Sequence, residues 1–201
     1  EDEQEHAIAK ALAKQVERVF ENNKIRAKNR DILRDALVDG DGCMFLRFDP
    51  DIETGQDAEG DIVAEVIQNI NVYFGNPYIS EVQQQPYIII AKRMMVDEVK
   101  EEAKANGRSE EEIDSITSDT DDVQGERGDS ELCTKLIRLW KEDGTIHCME
   151  CTEKAIIREP WDTEYKLYPI AWLNWEKVKS SYHGQALITG LIPNQIQVNR
   201  L

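Results

Sequence analysis

Hydrophobic positions recur at helical spacing over residues 3–22, where Ile8, Leu12, Val16, Val19 and Phe20 fall on one side. Ala9 and Ala13 pad that side and Lys and Glu occupy the rest, so the pattern predicts an amphipathic helix. A second helix is predicted over 29–38, with Ile32, Leu33, Ala36 and Leu37 inward and Asn29 as its N-cap. Asp39-Gly40-Asp41-Gly42 stops it, because glycine tolerates the left-handed conformation that ends helices. The period then shortens. Segments 43–48, 62–68, 70–74 and 87–91 are rich in β-branched and aromatic residues and read as strands, with a turn at Asn76-Pro77.

Between the first two strands, 49–61 is an acidic connector holding Asp49, Asp51, Glu53, Asp57, Glu59 and Asp61. An EF-hand loop needs glycine sixth and glutamate twelfth; counted from Asp49 these are Thr54 and Gly60, so a solvated hairpin loop is expected instead. A charged helix over 96–106 ends at Gly107, and 109–116 reads as one more short helix. The stretch 118–130 is rich in Asp, Gly and Ser without hydrophobic periodicity, which predicts a mobile loop.

Strands over 132–142 and 145–151 form a hairpin across Asp143-Gly144, a type I′ turn signal, and 154–159 extends the meander. From Tyr165 a buried-looking strand runs into a glycine turn. A helix follows with Leu191, Ile192, Ile196 and Val198 inward and Gln195 and Asn199 on one face. No capping signal follows that helix, so the chain reads as a piece of something longer. The fold class expected is α+β: N-terminal helices, then mixed or antiparallel sheet with short helices, ending in a helix. The segments group as 1–117 (helices and first sheet), 118–130 (acidic loop), 131–183 (β-meander) and 184–201 (start of the last helix). Internal repeats are absent from the sequence.

Charge changes the picture more than composition does. A net charge of -16 is the reverse of a module built to grip DNA phosphates, since counterion release rewards basic surfaces. Such a surface is soluble, and it also suits a passage that DNA traverses without sticking. No apolar run approaches the roughly 18–20 residues that span a bilayer, and the acidic N-terminal residues do not form a signal peptide. No membrane association is expected, and a cytosolic folding compartment is the default.

Candidate chemistry is sparse. Cys148 and Cys151, with His147 beside them, have the look of half a zinc site, but only the single Cys43 and Cys133 remain to complete it. Strand alternation also sends Cys148 and Cys151 to opposite faces, so reduced core thiols are expected and metal is not. Gly40 and Gly42 lack the Lys-Ser/Thr of a phosphate loop. His6, His147 and His183 are widely separated, and Ser180-Ser181 before Tyr182-His183 reads as a turn rather than a Ser-His pair. The carboxylates cluster in loops where no apolar pocket would shift them. No catalytic residue or cofactor is therefore expected. The aromatic group Trp161, Tyr165, Tyr168, Trp172 and Trp175 has few interleaved cations, which favours a subunit interface over base stacking.

Three stretches carry a resemblance. The first is Pro169-Ile170, the aromatics after it, Tyr182-His183-Gly184-Gln185-Ala186, Leu191-Ile192-Pro193-Asn194-Gln195 and Asn199-Arg200-Leu201. The second is a helix leading through Asp35-Ala36-Leu37 and Gly40-Asp41-Gly42 to a strand ending in Phe48-Asp49-Pro50. The third is Val72-Tyr73-Phe74, Asn76-Pro77, Tyr87-Ile88-Ile89, Lys92-Arg93-Met94 and Asp97-Glu98-Val99-Lys100. Together they resemble the wing region of portal proteins, the head-to-tail connectors of tailed double-stranded DNA bacteriophages.

The resemblance implies a structural, non-enzymatic subunit of a homo-oligomeric ring, usually dodecameric, at one capsid vertex of the virion, assembled in the bacterial host cytoplasm. Implied partners are the terminase, the major capsid or scaffolding protein, the head-tail adaptor, and duplex DNA passing without sequence specificity. It also implies that the last helix leads into the stem lining the ring, which makes Gln195, Asn199 and Arg200, with Trp172 and Trp175, candidates for contacts between neighbouring subunits. The rest of the stem, the clip, the tunnel loop and the crown have no counterpart in this sequence. From another class, a metal-dependent DNA phosphodiesterase domain is the alternative, with a tail or baseplate scaffold as a third.

Overall fold

A computed structural model of the chain describes residues 2–53, 55, 59–119 and 131–200. In chain order it contains α1 (Asp2–Asn22), α2 (Ile25–Asp39), β1 (Asp41–Asp49), β2 (Asp61–Ile67), β3 (Val72–Phe74), β4 (Tyr87–Met95), α3 (Val96–Ala105) and α4 (Glu110–Ser115). There follow β5 (Leu132–Glu142), β6 (Thr145–Cys151), β7 (Ile156–Asp162), β8 (Ile170–Asn174), β9 (Glu176–Lys177), β10 (Gly184–Gln185) and α5 (Ile192–Val198). Every strand pair is antiparallel, and the fold is α+β with helices first, sheets next and a helix last. Among the described residues no helix is long and apolar enough to cross a membrane. Most of the acidic stretch 118–130, from 120 onward, lies outside the described residues.

The chain divides into two units, Glu1–Asn69 with Pro169–Leu201, and Ile70–Tyr168. These cut across the segments read from the sequence. Segment 1–117 splits after Asn69, and the expected meander over 131–183 loses its last strand, because β8 pairs with β1 of the first unit rather than with β7. The reason is register: Phe45↔Ile170 through Asp41↔Asn174 pair two strands far apart in sequence, which local patterning does not encode.

In the first unit β1 is the middle strand of the order β2-β1-β8, so Asp41–Phe45 are buried on both faces. From α2, Ile25 and Ile32 pack on Met44 and Ala64. The helix crosses β1 so closely at Gly42 that a Cβ there would lie 2.5 Å from Ile32. The expected start of α2 is corrected. It begins at Ile25, not 29, and Asn29 is an exposed interior residue rather than a cap.

What breaks α1 from α2 is Asn23. Its amide donates to the Val19 carbonyl (3.0 Å) and the Ile62 carbonyl (2.7 Å), and its oxygen accepts the Ala64 N–H (2.7 Å), while Lys24 turns left-handed at φ 50. Burial of Ile25 then draws the mostly polar stretch 26–30 into the helix, overriding its lack of hydrophobic period. The predicted stripe of α1 is present but uncovered: Ile8, Leu12, Val16 and Phe20 are between 54% and 61% exposed.

The second unit is a five-stranded sheet in the order β3-β4-β5-β6-β7. Along β5 the alternation is strict, with Cys133, Lys135, Ile137 and Leu139 buried and Leu136, Arg138 and Trp140 on the outer face. Asp143 and Gly144 both have positive φ (50 and 88), as the I′ turn between β5 and β6 requires. Helix α3 covers the inner face, where Val99 and Ala103 join Ile116, Cys133, Ala155 and Ile157. Ser109 caps α4 in a reciprocal capping box with Glu112.

Beyond shifts of one or two residues, four strand limits differ from expectation, and one of these is the strand expected from Tyr165, which begins only at Ile170 as β8. The predicted strand 70–74 is a 3-10 turn at Asn69–Asn71 followed by three strand residues. β4 runs on past residue 91 to Met95, held by pairing with β5. β7 covers Ile156–Asp162 instead of 154–159.

Candidate assembly surfaces and an aspartate-centred node

Asp41 opens β1 and is 1% exposed. A carboxylate that far from water requires donors, and the chain supplies three. Its Oδ1 accepts from Asn174 Nδ2 and from the Gly184 N–H, each at 2.7 Å, and its Oδ2 lies 2.6 Å from His183 Nδ1. The Tyr182 carbonyl in turn accepts from Asn174 Nδ2 (2.8 Å) and Trp172 Nε1 (3.1 Å). The Tyr182 and His183 rings stack at 4.0 Å between centroids, with Trp172 at 6.0 and 6.3 Å from them.

Gly40 and Gly184 make this approach possible. A Cβ on either would sit 2.6 Å from the other's carbonyl oxygen. The node therefore ties the start of β1 to the reversal 174–184, and β9 and β10 pair just beyond it.

A carboxylate fixing an imidazole through Nδ1 is also how catalytic bases are oriented. The adjacent Ser181 is not aligned on that ring: its Oγ accepts the backbone N–H of His183 at 3.0 Å, forming the turn expected there. Within the node, the bonds to the Gly184 N–H and the Tyr182 carbonyl hold backbone in place. In the sequence Asp41 reads as part of a helix stop and His183 as a lone histidine, and no local pattern links the two.

The candidate interface residues fall as follows. Trp172 is half-buried in the node, whereas Trp175 is exposed and donates its backbone N–H to the Gly40 carbonyl at 2.9 Å. Gln195 and Asn199 do share a helix face, where Gln195 Nε2 donates to Asn199 Oδ1 at 2.9 Å. Arg200 follows α5 and is exposed. Leu191, Ile192, Ile196 and Val198, expected to point inward, are all exposed, since nothing among the described residues covers α5. The aromatic group also does not form one cluster. Trp161, Tyr165 and Tyr168 belong to the second unit and Trp172 and Trp175 to the first, because the chain leaves one unit for the other after Tyr168. Trp161 lies under Arg158 (3.7 Å), and Tyr168 is buried with its hydroxyl donating to the Gln85 carbonyl at 2.9 Å.

Not all carboxylates sit in loops. Lys135 is buried on the inner face of β5, and its ammonium lies 2.5 Å from Glu102 on α3 and 3.1 Å from Glu150 on β6. Burial holds the Glu150 carboxyl above the usual range, Lys135 opposes that rise and Glu102 adds to it. The missed signal was parity. Counted back from the Asp143-Gly144 turn, Lys135 and Glu150 both face inward.

Cys43, Cys133 and Cys148 are buried and Cys151 is half-buried. Cys148 pairs opposite buried Leu139 and Cys151 opposite outward-facing Leu136, so the two thiols point to different faces. Among the described residues no group of three or more His, Cys, Asp and Glu side chains is placed to hold a metal ion. Burial pushes the Cys43 and Cys148 thiols up to about 12. At pH 8 a charged disulfide reagent should therefore label Cys151 first and reach Cys43 and Cys148 only on unfolding. Peptide mapping that found all four labelled at similar rates in the folded protein would contradict this.

Comparison of the chain with protein-family profiles and with curated proteins returns no match.

Proposed function

We propose that this chain is a structural subunit of a portal-type ring, a wing-like element that works only when copies close around an axis. The observation that carries the reading is the pair of uncovered apolar surfaces on helices of the first unit, Ile8, Leu12, Val16 and Phe20 on α1 and Ile192, Ile196 and Val198 on α5. Contiguous exposed apolar surface of this kind marks a place where another macromolecule packs. Head-to-tail contacts that close give rings. The three stretches of portal-like sequence support the identity of that ring, and the excess of carboxylates suits a wall past which DNA slides.

In this role the partners are other copies, terminase, capsid or scaffolding protein and the tail adaptor. The place of action is the capsid vertex of the virion, and no bond-making chemistry is involved. The test is a paired substitution, Leu12→Asp with Val16→Asp, in the full-length protein. Both positions are exposed, so far-UV circular dichroism and melting temperature should not change, whereas mass photometry should show oligomers replaced by monomers. Oligomers of unaltered mass would refute the assignment of this stripe to assembly.

A further inference from the structure

The outer face of the five-stranded sheet carries a row of rings placed by register alone. Tyr87 on β4 stands opposite Trp140 on β5, and Trp140 opposite His147 on β6. One row over, Ile89, Arg138 and Met149 face one another across the same three strands. The Arg138 guanidinium sits 5.3 Å from the Tyr87 ring centre and 5.4 Å from that of Trp140, and Trp140 and His147 are 5.7 Å apart. Gly75 leaves room for the Tyr87 ring, since a Cβ there would meet that ring at 2.8 Å. The helices that pack on this sheet, α3 and α4, belong to the inner face.

Arg138 is the exception among the arginines at this surface. Arg93, on the same face of β4, pairs with Asp119, whereas no carboxylate among the described residues lies in ion-pair range of Arg138. It is exposed and already framed by two rings, which fixes the planar fork before anything binds. Trp, Tyr and Arg are also the side chains that carry most binding energy at protein interfaces.

We propose that the Tyr87–Arg138–Trp140–His147 face docks a carboxylate-bearing surface of a second copy of this chain. This rests on the ring reading above. The charge balance names the occupant: with 40 acidic residues against 24 basic, a facing copy offers mainly carboxylates. A closing ring also brings unlike surfaces of neighbouring copies together, so a cationic aromatic patch meets acidic surface rather than itself. A nucleic-acid strand fits the row less well. A single carboxylate seated on the Arg138 fork avoids the acidic end of the row, whereas a phosphate backbone running along it would also pass Asp162, opposite His147, and Glu142, which holds the Trp140 indole N–H at 2.9 Å.

The experiment uses the full-length protein, with Arg138→Glu and Arg138→Lys compared by sedimentation velocity across a concentration series in physiological salt. Arg138 is exposed, and an unchanged melting temperature confirms that the variants fold. Self-association of Arg138→Glu should weaken at least about tenfold, the scale of one interfacial anchor, and that of Arg138→Lys by less, because charge survives while the planar fork is lost. If the wild type associates and Arg138→Glu associates equally well, the docking face is wrong and the ring reading stands. If the wild type itself stays monomeric, both fall. Quenching of Trp140 fluorescence by a single-stranded oligonucleotide, abolished in Arg138→Glu while association is untouched, would overturn the proposal in favour of nucleic acid.

Discussion

Replacing Lys135 by methionine should cost about 3–5 kcal/mol of stability at neutral pH, the scale measured when one partner of a buried ion pair is removed. The loss comes from what remains. Glu150 sits on the inner face of the sheet with Glu102 nearby, and the ammonium between them is what makes the charged state tolerable there. The sign of the pH dependence follows. A carboxyl whose folded value is raised favours the protonated form in the native state, so its contribution is fully present below the ordinary glutamate value and is lost as pH rises through the folded value. Burial raises Glu150 and Lys135 opposes the rise, so removing Lys135 raises it further. The methionine variant should therefore recover part of its deficit on going from pH 7 to pH 5, as read by urea unfolding. An equal deficit at both pH values would show that Glu150 is not the group left stranded.

Asp41→Ala is the second large effect, about 3–5 kcal/mol by the same reasoning, since it leaves three inward-pointing donors without an acceptor. The consequence is also local. Asn174, His183 and Gly184 lose their common anchor, so amide exchange in the 174–185 reversal should accelerate more than in β5 and β6 of the other unit. His183→Ala should be milder, because its side chain is 51% exposed and the other two bonds to Asp41 survive. Uniform acceleration across the protein in Asp41→Ala would mean that the node holds the whole fold rather than this one reversal.

What the sequence disclosed, and what it concealed, divides by distance along the chain. The β5–β6 hairpin, the short helix within 109–116 and the opposite facing of Cys148 and Cys151 are set by residues within a few positions of one another, and each was legible. The same register, counted from Asp143-Gly144, also places Trp140 opposite His147 and Lys135 on the side of Glu150, so both features were within reach of the pattern. By contrast, Asp41 and His183 are 142 positions apart and meet only because β8 returns to β1. No spacing rule anticipates that. The start of α2 escaped for another reason: Asn29 has the right chemistry for a cap, but the break is made six residues earlier by Asn23, whose bonds to Ile62 and Ala64 depend on tertiary packing. The helices at the two ends show the inverse case. Their apolar faces were read correctly as periodic, yet on α1 and α5 they are exposed, which is why they bear on assembly rather than on a core.

The reading of this chain as one segment of a closed annulus is tested most directly by negative-stain electron microscopy of the purified full-length protein. The account predicts rings with an axial opening wide enough for a DNA duplex. Solitary particles at every concentration, or magnesium-dependent cutting of DNA by the same preparation, would contradict it.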